Sequence, residues 1–330
     1  MANETIAARY HETGNPAEVV GVEKLPVADP GPGEVTVRLL AAPVHPSDLG
    51  MLSGTYGRQA ELPAVGGREG IGEVVAAGPS PALEVGTRVR MPATGSWIGE
   101  VTVPAGDLTV IPGDLPVEQA AMAFVNPPTV VRLLADFVDL QPGDWVAQNA
   151  ANSALGFGVV RLAHHYGLRT LNVVRDPAKW EGPMRDAGAD VVVGEDDDWF
   201  KRLGELTGGA KPRLALNSVG GDSVLKLIRG LADGGVCVTF GGMVGDKVRF
   251  PTRNLIFNDV ALRGFWMDRW MRTHSEAEIT ALHAEVFELI RQGVFAAPIA
   301  AKYPLSEAVK AMEHASAGGR DGKVLLLGEG

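Results

Sequence analysis

The stretch of sequence with the clearest chemical potential runs from Asp144 to Gly156, where an apolar segment ends in small residues before a helical pattern begins. A dinucleotide-binding turn needs a tight bend, close approach of the backbone to a pyrophosphate, and a helix N-terminus that points at the pyrophosphate. The three positions at which glycine is expected hold Ala151, Ser153 and Gly156. The segment therefore predicts a nucleotide-binding turn of reduced glycine content, and a generic strand–turn–helix is the alternative.

The next apolar segment ends in Arg175-Asp176, and this end bears on which nicotinamide dinucleotide fits. NAD-binding domains place an acidic residue here, where it binds the ribose 2′-hydroxyl group. Arg175 occupies that position, and a cation suits a 2′-phosphate through charge-assisted hydrogen bonds. We therefore expect NADPH as the cofactor. Asp176 leaves NADH as an alternative, and a solvated surface side chain is the alternative for Arg175.

These motifs need a sheet to position them, and the hydrophobic pattern after residue 115 predicts one. Strands are expected at 145–149, 170–174, 191–193, 214–217 and 236–240, alternating with helices at 155–166, 179–187 and 223–232. This alternation predicts a parallel, doubly wound sheet. Before residue 115, short apolar segments such as 34–41 and 71–77 are separated by Gly and Pro turns, which predicts a β-rich domain.

Composition excludes several classes of protein. The chain has 330 residues with 45% hydrophobic and 21% charged residues, which fits a globular protein of about two domains. A net charge of −10 argues against nucleic-acid or anionic-membrane binding by the whole surface. Cys237 is the single cysteine, which excludes an intrachain disulfide and a cysteine-based zinc cluster. The N-terminal residues show no signal-peptide pattern, so we expect a cytoplasmic protein.

Motifs spread over nearly the whole chain make the sequence similar to the medium-chain dehydrogenase/reductase superfamily. Within it, the chain resembles the mitochondrial-type trans-2-enoyl-CoA/ACP reductases of the zinc-free, quinone-reductase-like branch. The motifs are His45-Pro-Ser-Asp48, Gly54-Thr-Tyr-Gly57, Leu62-Pro-Ala-Val-Gly-Gly67, Gln141-Pro-Gly-Asp144, Gln148-Asn149, Asn152-Ser153, Asn172-Val-Val-Arg-Asp176, Pro212-Arg-Leu-Ala-Leu-Asn217, Val219-Gly-Gly221, Phe240-Gly-Gly-Met243 and Leu262-Arg-Gly-Phe-Trp266.

The resemblance implies an α/β fold with two domains and a homodimer. A GroES-like β-rich catalytic domain would comprise residues 1–120 and 295–330, and a Rossmann doubly wound parallel-sheet domain residues 121–294. Only the resemblance, and not the periodicity, implies that a C-terminal helix at 306–315 and a strand at 323–327 return to the first domain.

The resemblance also implies the residues of the site. The active-site tyrosine of the family falls on Tyr56. The cofactor contacts would be Asn126, Asn152, Ser153, Ala154, Leu155, Gly156, Arg175, Asp176, Phe240, Gly241, Gly242, Met243, Phe265, Trp266, Met267 and Lys323. One departure bears on NADPH preference, because the family often has a second arginine where this chain has Pro177, and Lys179 is a candidate to compensate. The plain alternative for Asn126, which precedes Pro127-Pro128, is a helix N-cap.

The expected chemistry is reduction of an α,β-unsaturated thioester. It requires a hydride at the β-carbon, stabilisation of charge developing on the carbonyl oxygen, and a proton at the α-carbon. The phenol of Tyr56 can hydrogen-bond an enolate and protonate it. A packing role in a loop is the alternative for Tyr56. Two further hypotheses stay open: a quinone or free enone reductase of the same superfamily, and an NADPH-binding protein without turnover.

The expected partners are a small acyl thioester, carried by CoA or acyl carrier protein, and no nucleic acid or membrane. A basic excess over 247–272 suits the phosphates of such a carrier, with a solvated face as an equal alternative. Trp266, Trp270 and Met271 are candidates to line an acyl pocket, and core or interface packing explains them as simply.

We expect no bound metal. Zinc dehydrogenases of this superfamily use a cysteine and a His-Glu pair, whereas this chain reads Gly67-Arg68-Glu69 and has no cysteine in the first domain. His45 alone does not make a site, because catalytic zinc needs three protein ligands.

Overall fold

A computed structural model describes residues 3–80, 82–243 and 247–329. Contacts between Cα atoms group the chain into two compact units. The first unit comprises Met1–Phe124 and Ala297–Gly330, and the second comprises Val125–Ala296. The predicted domain boundaries, at 120/121 and 294/295, lie a few residues before the boundaries between these two units.

The first unit begins with short strands and short helices. Its strands are β1 (Asn3–Tyr10), β2 (Val20–Val27), β3 (Glu34–Val44), β4 (Ala64–Val65), β5 (Ile71–Ala77), β6 (Arg88–Arg90) and β7 (Glu100–Pro104). Its helices here are α1 (Pro16–Val19), α2 (Pro46–Leu52) and α3 (Val117–Ala120), with a 3-10 turn at Ala105–Asp107. β2, β1 and β4 form a three-stranded sheet in that order. The predicted strand at 71–77 coincides with β5, and the strand predicted at 34–41 continues to Val44.

The second unit alternates strands and helices. Its strands are β8 (Trp145–Gln148), β9 (Arg169–Val174), β10 (Val191–Gly194), β11 (Leu214–Asn217), β12 (Val236–Thr239) and β13 (Ala261–Gly264). Its helices are α4 (Asn126–Ala135), α5 (Ala154–His165), α6 (Pro177–Asp186), α7 (Leu203–Thr207), α8 (Ser223–Gly230), α9 (Thr252–Phe257), α10 (Met267–Thr273) and α11 (Glu276–Arg291), with a 3-10 turn at Trp199–Arg202.

All neighbouring strands of this second sheet are parallel, in the order β10-β9-β8-β11-β12-β13. The order reverses next to β8, which is the crevice where doubly wound sheets bind dinucleotides. The predicted doubly wound parallel sheet is therefore confirmed. Its inner strands are short and buried on both faces, as Leu214–Asn217 shows, and for this reason they appear in the sequence as apolar runs without alternation.

The chain then returns to the first unit through β14 (Ile299–Pro304), α12 (Ala308–Ser316) and β15 (Lys323–Leu327), with a 3-10 turn at Leu305–Glu307. A second sheet of this unit has the order β14-β15-β3-β5-β6, and β7 also pairs with β3. β15 runs antiparallel to β3, with Val324 opposite Val44. This register brings Lys323, the first residue of β15, to the end of β3 where His45 begins the next turn.

No helix within the described ranges combines the length and the apolar character needed to cross a membrane.

Close packing around Trp97 constrains the turn before β5. Trp97 is fully buried in the core of the first unit, and its indole Nε1 donates to the Pro43 carbonyl at 3.3 Å. A Cβ on Gly67 would lie 2.3 Å from Ser96 Oγ and 2.4 Å from a Trp97 ring carbon, and Gly67 has a φ of +92°. Any side chain there would meet both a steric clash and an unfavourable backbone conformation.

We therefore expect Gly67→Ala to lower the free energy of unfolding by about 2 kcal/mol or more, because overpacking and backbone strain add. The matched control is Gly106→Ala, since a Cβ on Gly106 meets nothing within 4 Å. Thermal unfolding of both variants measures the effect. Equal melting temperatures for the two variants would contradict this account of the turn.

Candidate active site

The turn after β8 has the geometry of a pyrophosphate-binding turn. Ser153 is the N-cap of α5, and its hydroxyl accepts from the Gly156 amide at 3.0 Å. A Cβ on Gly156 would lie 2.3 Å from the Ala151 carbonyl oxygen, so glycine is required where the helix meets the turn. The left-handed conformation falls on Ala150, with a φ of +45°, one residue before the predicted first glycine position. A twelve-residue helix thus starts at the switch point of the sheet with its N-terminal amides toward the turn.

Buried amide side chains fix the loops around this turn. Gln148 Nε2 donates to the Gly156 carbonyl at 2.9 Å and to Asn172 Oδ1 at 2.8 Å. Asn149 Nδ2 donates to Asn217 Oδ1 at 2.7 Å, and Asn149 Oδ1 accepts from the Ser218 amide at 2.8 Å. These residues join the carboxyl ends of β8, β9 and β11. None of these residues is among the predicted cofactor contacts, although polar residues that end otherwise apolar strands can be recognised in a sequence.

The end of β9 separates the roles of Arg175 and Asp176. Asp176 is the N-cap of α6, and its Oδ1 accepts from the Lys179 amide at 3.1 Å. Pro177 occupies the first helical turn, where its missing N–H group costs nothing. Arg175 is exposed and forms no ion pair within the described ranges. The Asp176 side chain therefore caps the helix, and Arg175 is the charged side chain exposed at this edge of the sheet.

The loops after β12 and β13 also reach this edge. A Cβ on Gly241 would lie 2.8 Å from the Ser218 carbonyl oxygen, so two loops approach each other closely there. Phe240 is half-buried, whereas Met243 is 55% exposed. Because all these strands are parallel, the predicted cofactor residues at 152–156, 175–176, 240–243 and 265–267 follow carboxyl ends at one edge of the sheet.

A cleft of about 400 Å³ lies beside β13 and α10. Its lining residues are Thr239, Gly264, Phe265, Trp266, Arg269, Trp270, Thr273 and His274. Trp270 stacks on His274 with ring centroids 3.9 Å apart, so the wall is aromatic. Of the three predicted acyl-pocket residues, Trp266 and Trp270 line this cleft and Met271 does not. Met267 is buried in α10.

The basic run at 247–272 spans a loop, α9, β13 and α10. Part of its charge is neutralised locally, because Arg249 pairs with Asp222 at 3.2 Å and Arg272 pairs with Asp268 at 3.2 Å. Asn126 is the first residue of α4, which has Val125 at its N-cap position and no side-chain capping bond. The N-cap alternative for Asn126 is therefore wrong.

In the first unit, Tyr56 lies on a tight loop after α2. The amides of Thr55 and Tyr56 both donate to the Gly50 carbonyl, at 2.9 and 3.0 Å. Gly54 has a φ of +74°, which allows the chain to reverse just before the tyrosine. The Arg68 guanidinium lies 4.8 Å above the centroid of the Tyr56 ring. A half-buried phenol is thus held under a cation, an arrangement that favours a developing negative charge nearby.

A cluster of charged side chains is buried in the same unit. Glu69 is fully buried, and its carboxylate pairs with His45 Nε2 and accepts from the Phe124 amide at 2.9 Å. Lys323 Nζ lies 2.6 Å from His45 Nδ1. Burial lowers the pKa of Lys323 to about 8, and the charges of Glu69 and Asp48 oppose that shift. Burial raises the pKa of Asp48 and lowers that of Arg90.

The predicted site residues, catalytic and cofactor-binding, therefore fall in both units. Tyr56 and Lys323 belong to the first, and all the others to the second. No group of three or more His, Cys, Asp or Glu side chains suited to a metal ion occurs within the described ranges. The absence of a metal stays a prediction.

Comparison with known proteins identifies the two units. The family described as "Alcohol dehydrogenase GroES-like domain" matches residues 31–113, and the family described as "Zinc-binding dehydrogenase" matches residues 154–284. The mitochondrial enoyl-[acyl-carrier-protein] reductase of Mus musculus is 43% identical over 315 residues, which cover 92% of this chain and 83% of the mouse protein. The predicted fold class, GroES-like with Rossmann, is thereby confirmed.

Solved structures of reductases are also similar to this chain over nearly its whole length. A putative NADPH:quinone reductase from Bacillus thuringiensis is similar with a TM-score of 0.90 and 26% identity, over 99% of this chain and 100% of that one. The complex of Etr1p with NADP and crotonyl-CoA has a TM-score of 0.88 and 25% identity, over 98% and 100%. Etr1p also occurs in a mitochondrial 2-enoyl thioester reductase heterodimer, Etr1p/Etr2p, from Candida tropicalis, at a TM-score of 0.87 and 25% identity over 98% and 100%. The chain belongs to the mitochondrial-type enoyl thioester reductase family of the medium-chain dehydrogenase/reductase superfamily.

Proposed function

We propose that this protein reduces the α,β double bond of a trans-2-enoyl thioester with NADPH. The observation that carries the proposal is similarity over nearly the whole chain to an enoyl reductase, together with a similar structure that holds NADP and crotonyl-CoA. The residues present fit such a cofactor. The glycine at the start of α5 permits close backbone approach, and Arg175 offers a cation to a 2′-phosphate.

The first unit supplies the acid–base group. Bound NADPH would supply a hydride to the β-carbon. As the thioester oxygen gains negative charge, the Tyr56 hydroxyl donates a hydrogen bond to it and then delivers a proton to the α-carbon, which completes the saturated product. The loop from Gly50 to Tyr56 fixes the tyrosine backbone, and Arg68 orients its ring.

A quinone or free enone reductase is the second candidate, because the structure with a TM-score of 0.90 is a putative NADPH:quinone reductase. An NADPH-binding protein without turnover is the third. An assay of NADPH oxidation with crotonyl-CoA, with a free enone as the parallel substrate, separates the three. Oxidation with the free enone alone would overturn the first proposal, and tight NADPH binding without any oxidation would favour the third.

CoA and acyl carrier protein are both proposed as carriers of the acyl group, and neither is preferred. Arg263 and Arg269 lie in the basic run beside the aromatic cleft and are available to carrier phosphates. We also propose a cytoplasmic location, and the buried free thiol of Cys237 fits a reducing compartment of this kind. The mouse relative is named as mitochondrial.

We further propose that the protein is a homodimer. β13 is an edge strand of the second unit, and the nearby apolar side chains Leu255, Ile256, Phe257 and Leu262 are 54%, 63%, 69% and 40% exposed. An unpaired edge beside an apolar patch is a self-complementary surface for a twofold contact. The heterodimer formed by Etr1p and Etr2p supports a paired arrangement in this family.

Tyr56→Phe is expected to lower the turnover of crotonyl-CoA about 100-fold or more, because the variant keeps the ring but loses the hydroxyl proton. NADPH affinity is expected to stay unchanged, since Tyr56 is assigned to the thioester. Stopped-flow turnover and NADPH fluorescence titration measure the two quantities. Wild-type turnover in the variant would remove Tyr56 from the mechanism.

Arg175→Ala is expected to raise the Kd of NADPH about tenfold or more and to leave NADH affinity nearly unchanged. The physical reason is loss of a charged hydrogen bond worth about 1.5–3 kcal/mol to the 2′-phosphate. Arg202→Ala, an exposed arginine in the same unit, is the matched control. Equal losses of NADPH and NADH affinity would show that Arg175 does not select the phosphate.

Phe257→Asp is expected to convert the protein to a monomer at micromolar concentration, because a charge in an apolar contact surface must be desolvated. Val85→Asp is the control, since Val85 is 64% exposed in the first unit. Size-exclusion chromatography with light scattering measures the mass. A monomeric wild-type protein, or a Phe257→Asp variant that stays dimeric, would contradict the proposed surface.

A further inference from the structure

Three buried side chains of the first unit form a continuous hydrogen-bonded chain. Glu69 Oε1 contacts His45 Nε2, and His45 Nδ1 lies 2.6 Å from Lys323 Nζ. Relative exposures are 0%, 2% and 7% for Glu69, His45 and Lys323. We call this arrangement the Glu69–His45–Lys323 chain. The residues lie 24 and 278 positions apart in sequence, so only the fold brings them together.

The chemistry of the donors fixes the direction of the chain. An ammonium group has three donors and no acceptor, so His45 Nδ1 accepts from Lys323. The hydrogen of a neutral imidazole is then on Nε2, where it is donated to the Glu69 carboxylate. The second carboxylate oxygen of Glu69 accepts from the Phe124 amide at 2.9 Å. A carboxylate, unlike an amide, can accept from both directions at once.

Other charged groups also face this chain. Asp48, on α2, accepts from the His45 amide at 2.7 Å through Oδ2, and its Oδ1 has no hydrogen-bond partner within the described ranges. Arg320, before β15, disfavours the ammonium form of Lys323, whereas Glu69 and Asp48 favour it. Arg90, on β6, is also near these charges: Glu69 favours the charged form of Arg90, and Arg68 disfavours it. The two carboxylates are thus the groups that keep a buried ammonium charged.

We propose that Glu69 and His45 are positioning residues that hold the Lys323 ammonium group, in place and in its charged form, for contact with the bound nicotinamide cofactor. The inference rests on the proposed function, because it takes Lys323 as a cofactor contact. Neither Glu69 nor His45 needs to touch substrate or cofactor. They act on Lys323 in two ways. His45 forms a hydrogen bond with Nζ, and the negative charge of Glu69 favours the ammonium form.

If Glu69 and His45 had a purely structural role, their replacement would not change how NADPH affinity depends on pH. This pH dependence is therefore the quantity to measure. In the wild type, affinity is expected to fall as pH rises through about 8, where Lys323 loses its proton. Without the charge of Glu69 the ammonium is less favoured, so the fall begins at lower pH. Each unit by which the Lys323 pKa drops lowers the charged fraction about tenfold above that pKa.

NADPH binding to the protein is measured by fluorescence titration from about pH 6 to about pH 9, a range of about 3 units that includes the Lys323 pKa. Glu69→Gln is expected to raise the Kd about tenfold at pH 8, with a smaller effect at pH 6. Glu100→Gln is the matched control, because Glu100 pairs with Arg38 on the surface of the same unit. A wild-type pH profile in Glu69→Gln would overturn the proposal.

A double-mutant cycle tests whether Glu69 acts through Lys323. Lys323→Met is expected to weaken NADPH binding and abolish its pH dependence, and adding Glu69→Gln is expected to change nothing further. Fully additive losses in the double variant would show that Glu69 acts by another route. Unchanged NADPH binding in Lys323→Met alone would overturn the inference and leave the proposed reductase function standing. Failure of the wild type to bind NADPH would instead overturn the proposed function.

A pair of His45 variants keeps the test decisive if Glu69→Gln fails to fold. In the His45→Gln variant, the new side-chain amide can still accept from Lys323 and donate to Glu69. The Kd of NADPH is therefore expected to stay within about threefold of the wild-type value. His45→Leu removes both bonds and is expected to lose about tenfold or more. Melting temperatures identify any unfolded variant. Equal NADPH affinities of the Gln and Leu variants would contradict a role for the hydrogen bonds.

Discussion

The antiparallel pairing of β15 with β3 is the constraint on which the first unit depends. It opposes Val324 to Val44 and so delivers a residue from the end of the chain to the first turn after β3. The buried side chains of Lys323, His45 and Glu69 come together only in this register. A slip of one residue would turn each side chain to the other face of the sheet and leave an ammonium group without its acceptor.

The second unit obeys a constraint of a different kind, which is close backbone approach. Gly156 at the start of α5 and Gly241 after β12 each lie where a Cβ would collide with a carbonyl oxygen. Buried amides of Gln148 and Asn149 then fix the surrounding loops. Small residues and saturated hydrogen bonds together make a rigid edge, and a rigid edge can bind a pyrophosphate without reorganising.

The sequence predicts elements better than contacts. The alternation after residue 115 is sufficient for the parallel sheet, because each strand and helix carries its own apolar pattern. The capping of α6 by Asp176 is local and could also be read from Asp176-Pro177. The bond from Lys323 to His45 could not, because it depends on a strand pairing that periodicity does not specify. Nor could the start of α4 at Asn126, since the residue before a proline is biased away from helix.

Arg68 precedes the buried Glu69 and stands where zinc dehydrogenases of the superfamily have a histidine. Burial of the Glu69 carboxyl group costs free energy unless hydrogen-bond donors and compensating charge surround it. Here the donors are the imidazole of His45 and the Phe124 amide, and the positive charges are those of Lys323 and Arg90. Arg68 also lies over Tyr56. Where the zinc dehydrogenases have a histidine, this chain therefore has a cation against the phenol, and this one residue lies between the buried Glu69 in sequence and the proposed acid in space.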